Sequence, residues 1–320
     1  AAVLWVGSRL NAKPLTTFYA ARVANLIVMI ALICAAMFVA PRAAWMFATA
    51  GALPMTLHLA GSFSPDAFTL GVASLALALA VTTVRFAPAR YLAGLIAVTL
   101  LLALCKPVYF LLPLIAIWNG NAKGRRVAAA ATVSIAILAG VALSGLAASR
   151  ASFNMRGSID VDSSRQLSSM ARAPLRFAQT VITDYTASHT RYRHELVGRL
   201  GWLDVGLPAP LSNLAQIAFL LAAVTAARVV SAPQRGVALL VILGTLVLIA
   251  TSQYLVWTAV GATAIEGIQG RYFIPLVAVA AAVVQVIERR KVHAVALVVL
   301  FATIGALDVI GIVRVATRYF

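Results

Sequence analysis

Twenty-four consecutive residues, Val237 to Val260, contain no Asp, Glu, Lys or Arg. A helix needs about 20 mostly apolar residues to cross the ~30 Å hydrocarbon core of a bilayer. A run of that length and purity constrains the fold more than any other feature of the chain. The pattern recurs in Tyr19–Ala40, Ala44–Leu59, Ala67–Val84, Tyr91–Cys105, Val108–Trp118, Val127–Ala148, Leu211–Ala227, Ile274–Ile287 and Val292–Val313. Ala1–Gly7 reads as the tail of an earlier helix. Backbone polar groups in lipid must be satisfied within their own segment, which makes such runs helical. The chain is 62% hydrophobic and only 11% charged, whereas soluble domains carry roughly a quarter charged residues. The expected fold class is an all-α polytopic integral membrane protein. It is a single bundle over residues 1–320, with about 10 transmembrane or half-spanning helices and one large loop.

The net charge of +17 raises a nucleic-acid reading, but the positions of the charges argue against it. Arg85 and Arg90, then Lys123, Arg125 and Arg126, then Arg228 and Arg235, and finally Arg289, Arg290 and Lys291 all sit in short connectors between apolar runs. That is the pattern of positive-inside anchors, so the expected partners are membrane lipids and not nucleic acid. With these connectors cytoplasmic, the Ser64-Pro65-Asp66 joint, the Lys106-Pro107 break, the 150–208 loop and residues 262–273 all fall on the extracytoplasmic side. The alternation closes only if Tyr91–Trp118 is two short helices broken at Lys106-Pro107, because proline removes a backbone donor and clashes with the preceding turn. The scheme leaves Arg9, Lys13 and Arg22 outside, against the rule. Cys34 and Cys105 lie in apolar runs and imply no disulfide framework. The chain opens at AAVLWVG without an initiator Met or charged leader, which reads as an N-terminal truncation lacking a first helix and its external loop.

The loop from Arg150 to Pro208 is the one sizeable polar region. Leu175, Ala178, Ile182 and Tyr185 recur there at helical spacing, which predicts an amphipathic helix lying on the membrane face or capping a cavity, or else a plain solvated loop helix. Trp202, in this loop, reads as an interfacial belt residue.

Few residues in such a chain have the chemistry for a site. Asp66 in GSFSPDAF is one of nine acids. An acid at the edge of a spanning segment is costly and points to function, although Ser64-Pro65-Asp66 is also good helix-start chemistry. Lys106, with Tyr109 one turn on, is suited to an anion such as a lipid phosphate, or else snorkels to the interface. In EGIQGRYFIP, Gln269, Arg271 and Tyr272 sit at a helix start where Gly267 and Gly270 permit close backbone approach. An Arg fork suits phosphate or carboxylate, and the plainer reading is an Arg–Tyr interfacial anchor. Glu266 reads as a rim charge and His58 as a satisfied core histidine. His189 and His194 are poorly spaced for a metal. Asp160 and Asp162 offer oxygens to a divalent ion, though acids in a polar loop usually do not bind one. No HExxH, CxxC, Walker, GxSxG or GxGxxG pattern is present. No cofactor is implied beyond that weak divalent-metal option.

Taken in order, Arg22 and Asn25, Ser62-Phe63-Ser64-Pro65-Asp66, Lys106-Pro107-Val108-Tyr109, Leu200-Gly201-Trp202-Leu203-Asp204 and Gly267-Ile268-Gln269-Gly270-Arg271-Tyr272-Phe273-Ile274-Pro275 resemble a bacterial family of predicted membrane proteins known as domain of unknown function 2142. The resemblance covers essentially the whole chain, and the GxQGRYFxP and SxSxDA pieces are its most specific parts. That family in turn resembles the GT-C superfamily of membrane glycosyltransferases, which includes the protein O-mannosyltransferases and the aminoarabinose lipid A transferase. In those enzymes a similar Asp opens a helix on the extracytoplasmic side and a Lys follows about forty residues later, as Asp66 and Lys106 do. A similar Arg begins the equivalent of the Arg22 helix end.

The resemblance implies a multi-pass protein of the bacterial inner membrane with a GT-C-like bundle. Its implied activity is transfer of a sugar from a polyprenyl-phosphate donor to a surface glycan or glycolipid acceptor. Lys106 and Arg271 would face the lipid phosphate, and Tyr109, Gln269 and Tyr272 would form the pocket wall. The superfamily's acidic motif, similar to Pro-Pro-Asp-Glu followed by His in a first external loop, is absent from this chain. Asp66 is therefore expected to support or position the chemistry, with the main base lying outside these residues. Two other readings remain: a transporter or flippase of a lipid-linked glycan, since intramembrane Asp and Lys suit transporters too, and a non-catalytic membrane subunit of the same fold.

Overall fold

A computed structural model describes residues 2–82, 88–118 and 161–319, with a few positions between 130 and 138. Most of the Val127–Ala148 segment, the connectors carrying Arg85, Lys123, Arg125 and Arg126, and Asp160 lie outside the described residues. The described chain is almost wholly helical. Helices α1 (Ala2–Arg9), α2 (Pro14–Val39), α3 (Ala44–Ala52), α4 (Pro54–Gly61), α5 (Pro65–Val81) and α6 (Pro88–Cys105) come first. After α6 come two 3₁₀ segments, Pro107–Tyr109 and Leu112–Trp118. Next are α7 (Ser163–Arg172), α8 (Pro174–Gly198) and a two-stranded hairpin, β1 (Arg199–Leu200) with β2 (Val205–Gly206). The chain ends in α9 (Ala209–Thr225), α10 (Ala232–Val256), a 3₁₀ turn Gly270–Phe273, α11 (Ile274–Val283) and α12 (Arg290–Tyr319). The helices α2, α10 and α12 are each long and apolar enough to cross a membrane. Several other helices are shorter apolar pieces.

Proline explains where the apolar runs break. The expected single segment Ala44–Leu59 is two helices, because Pro54 has no N–H to donate and holds Leu53 extended at φ −55°, ψ 138°. The Thr56 hydroxyl donates to the Ala50 carbonyl at 2.7 Å across this break, the kind of side-chain rescue that lipid demands. The break at Lys106-Pro107 is present, but the chain beyond it is 3₁₀ and not the expected short α-helix. At about 2.0 Å rise per residue, Leu112–Trp118 is far too short to cross a bilayer, and it packs on α5 and α10 instead. Likewise α11 stops at Val283 rather than near Ile287. The non-helical residues beyond it are held by Val286 and Ile287 N–H groups donating to Val224 O at 3.2 and 3.1 Å.

The helix α5 is the centre of the bundle. Ala67, Gly71, Ala73, Ser74, Ala76, Ala78 and Ala80 are all buried, and it packs against α2, α6, α11 and the Leu112–Trp118 segment. Small side chains let helices approach closely where lipid supplies no hydrophobic drive between them. At Gly71 a Cβ would come within 2.8 Å of Leu32 on α2. One end of α5 begins at Ser64 and Asp66. At its other end the Thr82 hydroxyl donates to Val39 O at 2.7 Å. Gln234 at the start of α10 donates to Ala80 O. Arg228 and Arg235 bond the carbonyls of Val286 and Gln285. The basic connectors after α9 and α11 therefore gather at one end of the bundle, away from Asp66.

The 150–208 loop is helical over Ser163–Arg172 and Pro174–Gly198 and ends in the hairpin. In α8 the stripe expected to lie on the membrane face or cap a cavity is mostly outward: Leu175, Ala178 and Ile182 are exposed and Tyr185 is half-buried, while Val181, Asp184, Tyr192 and Glu195 are buried. The packing face is offset from the apolar stripe because α8 docks through polar groups. Trp202 is exposed on the hairpin.

Because α5 rises about 25 Å between its ends, cysteines placed at Ser64 and Ser231 should lie on opposite membrane faces. With Cys34 and Cys105 replaced by Ala, a membrane-impermeant maleimide should label Ser64→Cys and Ser231→Cys from opposite sides of sealed vesicles. Labelling of both from one side would refute this arrangement.

Candidate functional site

Asp66 lies in the first turn of α5. Ser64 is the N-cap, and its hydroxyl accepts from the Asp66 N–H at 3.2 Å. A carboxylate here is favoured by the positive end of the helix dipole. The joint before it is held from α2: the Asn25 amide donates to the carbonyls of Ser62 and Ser64 at 3.2 and 3.1 Å, and Arg22 donates to Gly61 O. The Arg22 guanidinium also lies near the rings of Phe18 and Tyr19, at 5.8 and 5.6 Å. Arg22 thus braces the joint and makes no ion pair with Asp66 among the described residues.

Two cations converge on Asp66. Lys106 Nζ donates to Oδ1 at 2.9 Å, and Arg271 Nε lies 3.5 Å from Oδ2. The three side chains are 20–30% exposed, so the pairs are partly desolvated but reachable. Lys106 reaches Asp66 because α6 ends at Cys105 and Pro107 turns the chain. Its ammonium also sits 3.9 Å from the centroid of the Tyr272 ring, a cation–π distance. Tyr109 is buried and donates its hydroxyl to Tyr272 O at 2.8 Å, joining the Lys106 turn to the Arg271 turn. Five of the seven residues predicted from sequence therefore touch one another: Asp66, Lys106, Tyr109, Arg271 and Tyr272. Arg22 supports the neighbouring joint. Gln269 caps the Gly270–Phe273 turn, and its side-chain Oε1 is buried without a hydrogen-bond partner.

The cluster sums to one negative and two positive charges. At 3.5 Å the Arg271 Nε makes an ion pair but no hydrogen bond, and this buried nitrogen has no acceptor. A donor left in that state is costly, and an anion would satisfy it. Beside Lys106 and Tyr272 a cavity of about 230 Å³ is lined by Thr251, Ser252 and Gln253. A separate cavity of about 370 Å³ is almost wholly apolar, bounded by Leu53, Phe219, Phe273, Leu276 and Leu300 with Arg193 among its walls.

The sequence reading missed Glu195. It is buried, accepts the Gly270 N–H at 2.7 Å and pairs with Arg191 at 3.4 Å, while Arg191 donates to Ile268 O. This clamps α8 onto the turn that carries Arg271. The available signal was an acid one helical turn after an Arg, which is ordinary on a solvated face. The glycines of the turn serve protein packing. A Cβ on Gly270 would collide with Tyr192 O and lie 2.6 Å from Leu196 N, and Gly267 adopts φ +85° against Trp257. Asp162 is the N-cap of α7, accepting from the Ser164 and Arg165 N–H groups. Those bonds hold its carboxyl well below the usual range. Among the described residues no group of three or more His, Cys, Asp and Glu side chains comes together for a metal.

Overpacking against backbone costs about 1–3 kcal/mol, so Gly270→Ala should measurably lower the thermal midpoint of the purified chain. Glu195→Ala should act in the same direction by stranding the Gly270 N–H. Unchanged midpoints in both variants would show that the clamp carries no stability.

The chain belongs to the family described as Predicted membrane protein (DUF2142), whose model matches residues 1–280. The match contains every residue of the ion cluster and ends before α12. No curated protein and no solved structure matches the chain.

Proposed function

We propose that this member of a membrane-protein family is a glycosyltransferase. It moves a sugar from a polyprenyl-phosphate donor to a hydroxyl of a surface glycan or glycolipid, on the extracytoplasmic face of a bacterial inner membrane. The observation that carries the reading is the bracketing of Asp66 by Lys106 and Arg271, with net positive charge and an unsatisfied Arg271 donor.

In such a transfer the bond between sugar C1 and the phosphate oxygen breaks, and the acceptor oxygen bonds to C1. The acceptor loses its proton to a base, and the lipid phosphate leaves with the bonding electrons. Fixed cations at the leaving oxygen stabilise the charge that develops there. Lys106 and Arg271 fill that role, and Asp66 positions both. The Thr251, Ser252 and Gln253 cavity, with Tyr272 on its wall, offers hydroxyl and amide groups to a sugar; Tyr109 holds the Tyr272 backbone, and Gln269 has a free side-chain acceptor in the neighbouring turn. The apolar cavity suits part of an isoprenoid chain.

The test uses the full-length protein in proteoliposomes with a labelled polyprenyl-phosphate sugar. Arg271→Ala and Asp66→Asn should each lower transfer by about 10²-fold or more, with polyprenyl phosphate released only by the wild type. Unchanged transfer in both variants would remove the site assignment. Lipid-linked sugar crossing the bilayer without release of polyprenyl phosphate would establish a transporter instead.

A further inference from the structure

Within its apolar length α12 carries one acid, Asp308. It is half-buried and makes no hydrogen bond or ion pair among the described residues. An ionisable group inside a spanning helix usually faces a partner or a pathway. Asp308 faces a cavity of about 410 Å³ between α4 and α12, and the other polar side chain on its wall is His58. His58 is half-buried and lines this cavity as well as belonging to its apolar helix.

The cavity has a built roof and an apolar mouth. Leu200 of the hairpin lies over Gly311, where a Cβ would come within 2.9 Å of its Cδ1. The hairpin is tied to the end of α12. The Tyr319 hydroxyl donates to Asp204 Oδ1 at 2.8 Å, Arg318 Nε donates to Oδ2 at 3.2 Å, and Arg314 donates to Gly206 O. At the mouth Leu57 and Ile312 are 37% and 71% exposed on the outside of the bundle, where a membrane protein meets lipid.

The chemistry of the walls selects a ligand. An ionised carboxylate offers only acceptors. The Gly201 backbone adjoins the His58 ring, and a neutral imidazole has one donor and one acceptor. Arg314 and Arg318 are engaged with the hairpin, and Arg22 and Arg271 act on His58 from the side of the ion cluster. An apolar wall with a single carboxylate is poor for a hydrated metal ion. It suits an amphiphile whose headgroup brings N–H or O–H donors.

We propose that the α4–α12 cavity binds a membrane lipid whose headgroup carries a primary ammonium or hydroxyl groups, with Asp308 and His58 accepting its hydrogen bonds and its chain leaving past Leu57 and Ile312. The site lies partly beyond the family match and does not depend on the transfer reaction.

The test loads the full chain into nanodiscs of phosphatidylethanolamine, glucosyl diacylglycerol and phosphatidylcholine at equal abundance. Native mass spectrometry then reads the lipids retained. Phosphatidylcholine has no headgroup donor and serves as the reference. At least about fivefold preference for either donor lipid is expected, and it should be lost in Asp308→Leu. Preference for phosphatidylethanolamine that disappears in Asp308→Asn identifies an ammonium, and glucosyl diacylglycerol preference that survives Asp308→Asn identifies hydroxyls. Equal retention of all three lipids by the wild type, or an unchanged preference in Asp308→Leu, overturns the proposal.

Discussion

The pairing of Asp66 with Lys106 and Arg271 is the interaction around which one end of this bundle is organised. Three charges at the edge of spanning segments would each be costly alone. Brought together, they offset one another and still leave an excess positive charge. Each comes from a place where the backbone has been interrupted: the Ser64-Pro65 joint, the Lys106-Pro107 break and the Gly270–Phe273 turn. Breaks of this kind free polar backbone groups, which lipid does not tolerate. Here they are answered by Asn25, Arg22, Tyr109 and Glu195. The cluster is therefore inseparable from the network that stabilises its three breaks.

The rigidity of that end comes from two unlike sources. One is the close packing of α5, whose small residues bring it against α2, α6 and α11 along its buried length. The other is the polar clamp of α8, where Glu195 and the bare backbone of Gly270 fix the Arg271 turn from outside the bundle. Dispersion and burial hold the helix, while a charge-assisted hydrogen bond holds the turn. The opposite end has a different character: arginines there bond the carbonyl groups of a neighbouring segment, serving as structural ties as well as charges at a membrane face.

A large share of this was legible in the residues. The apolar runs dictated a helical membrane bundle because lipid leaves the backbone no alternative. Prolines 54, 65 and 107 marked breaks, though periodicity alone passed over the one at Pro54. Asp66, Lys106 and Arg271 stood out because acids and bases are rare in such a chain, and rarity is readable without coordinates. Glu195 and Asp308 were passed over for opposite reasons. Glu195 sits in a charged segment where an acid is ordinary, and Asp308 lies within a run so apolar that it reads as a plain spanning helix.

By itself the sequence determined composition-level physics: membrane class, helical secondary structure, the sites of interruption and the few side chains able to carry charge chemistry. Only the tertiary structure decided which of those side chains meet. Asp66 and Lys106 are 40 residues apart, and Arg271 arrives from the far end of the chain. The face of α8 that packs, the 3₁₀ form of Leu112–Trp118 and the cavity between His58 and Asp308 were likewise decided there. Local preferences act over a few residues. Charge pairing, close helix approach and cavities depend on distances across the bundle, which no local pattern encodes.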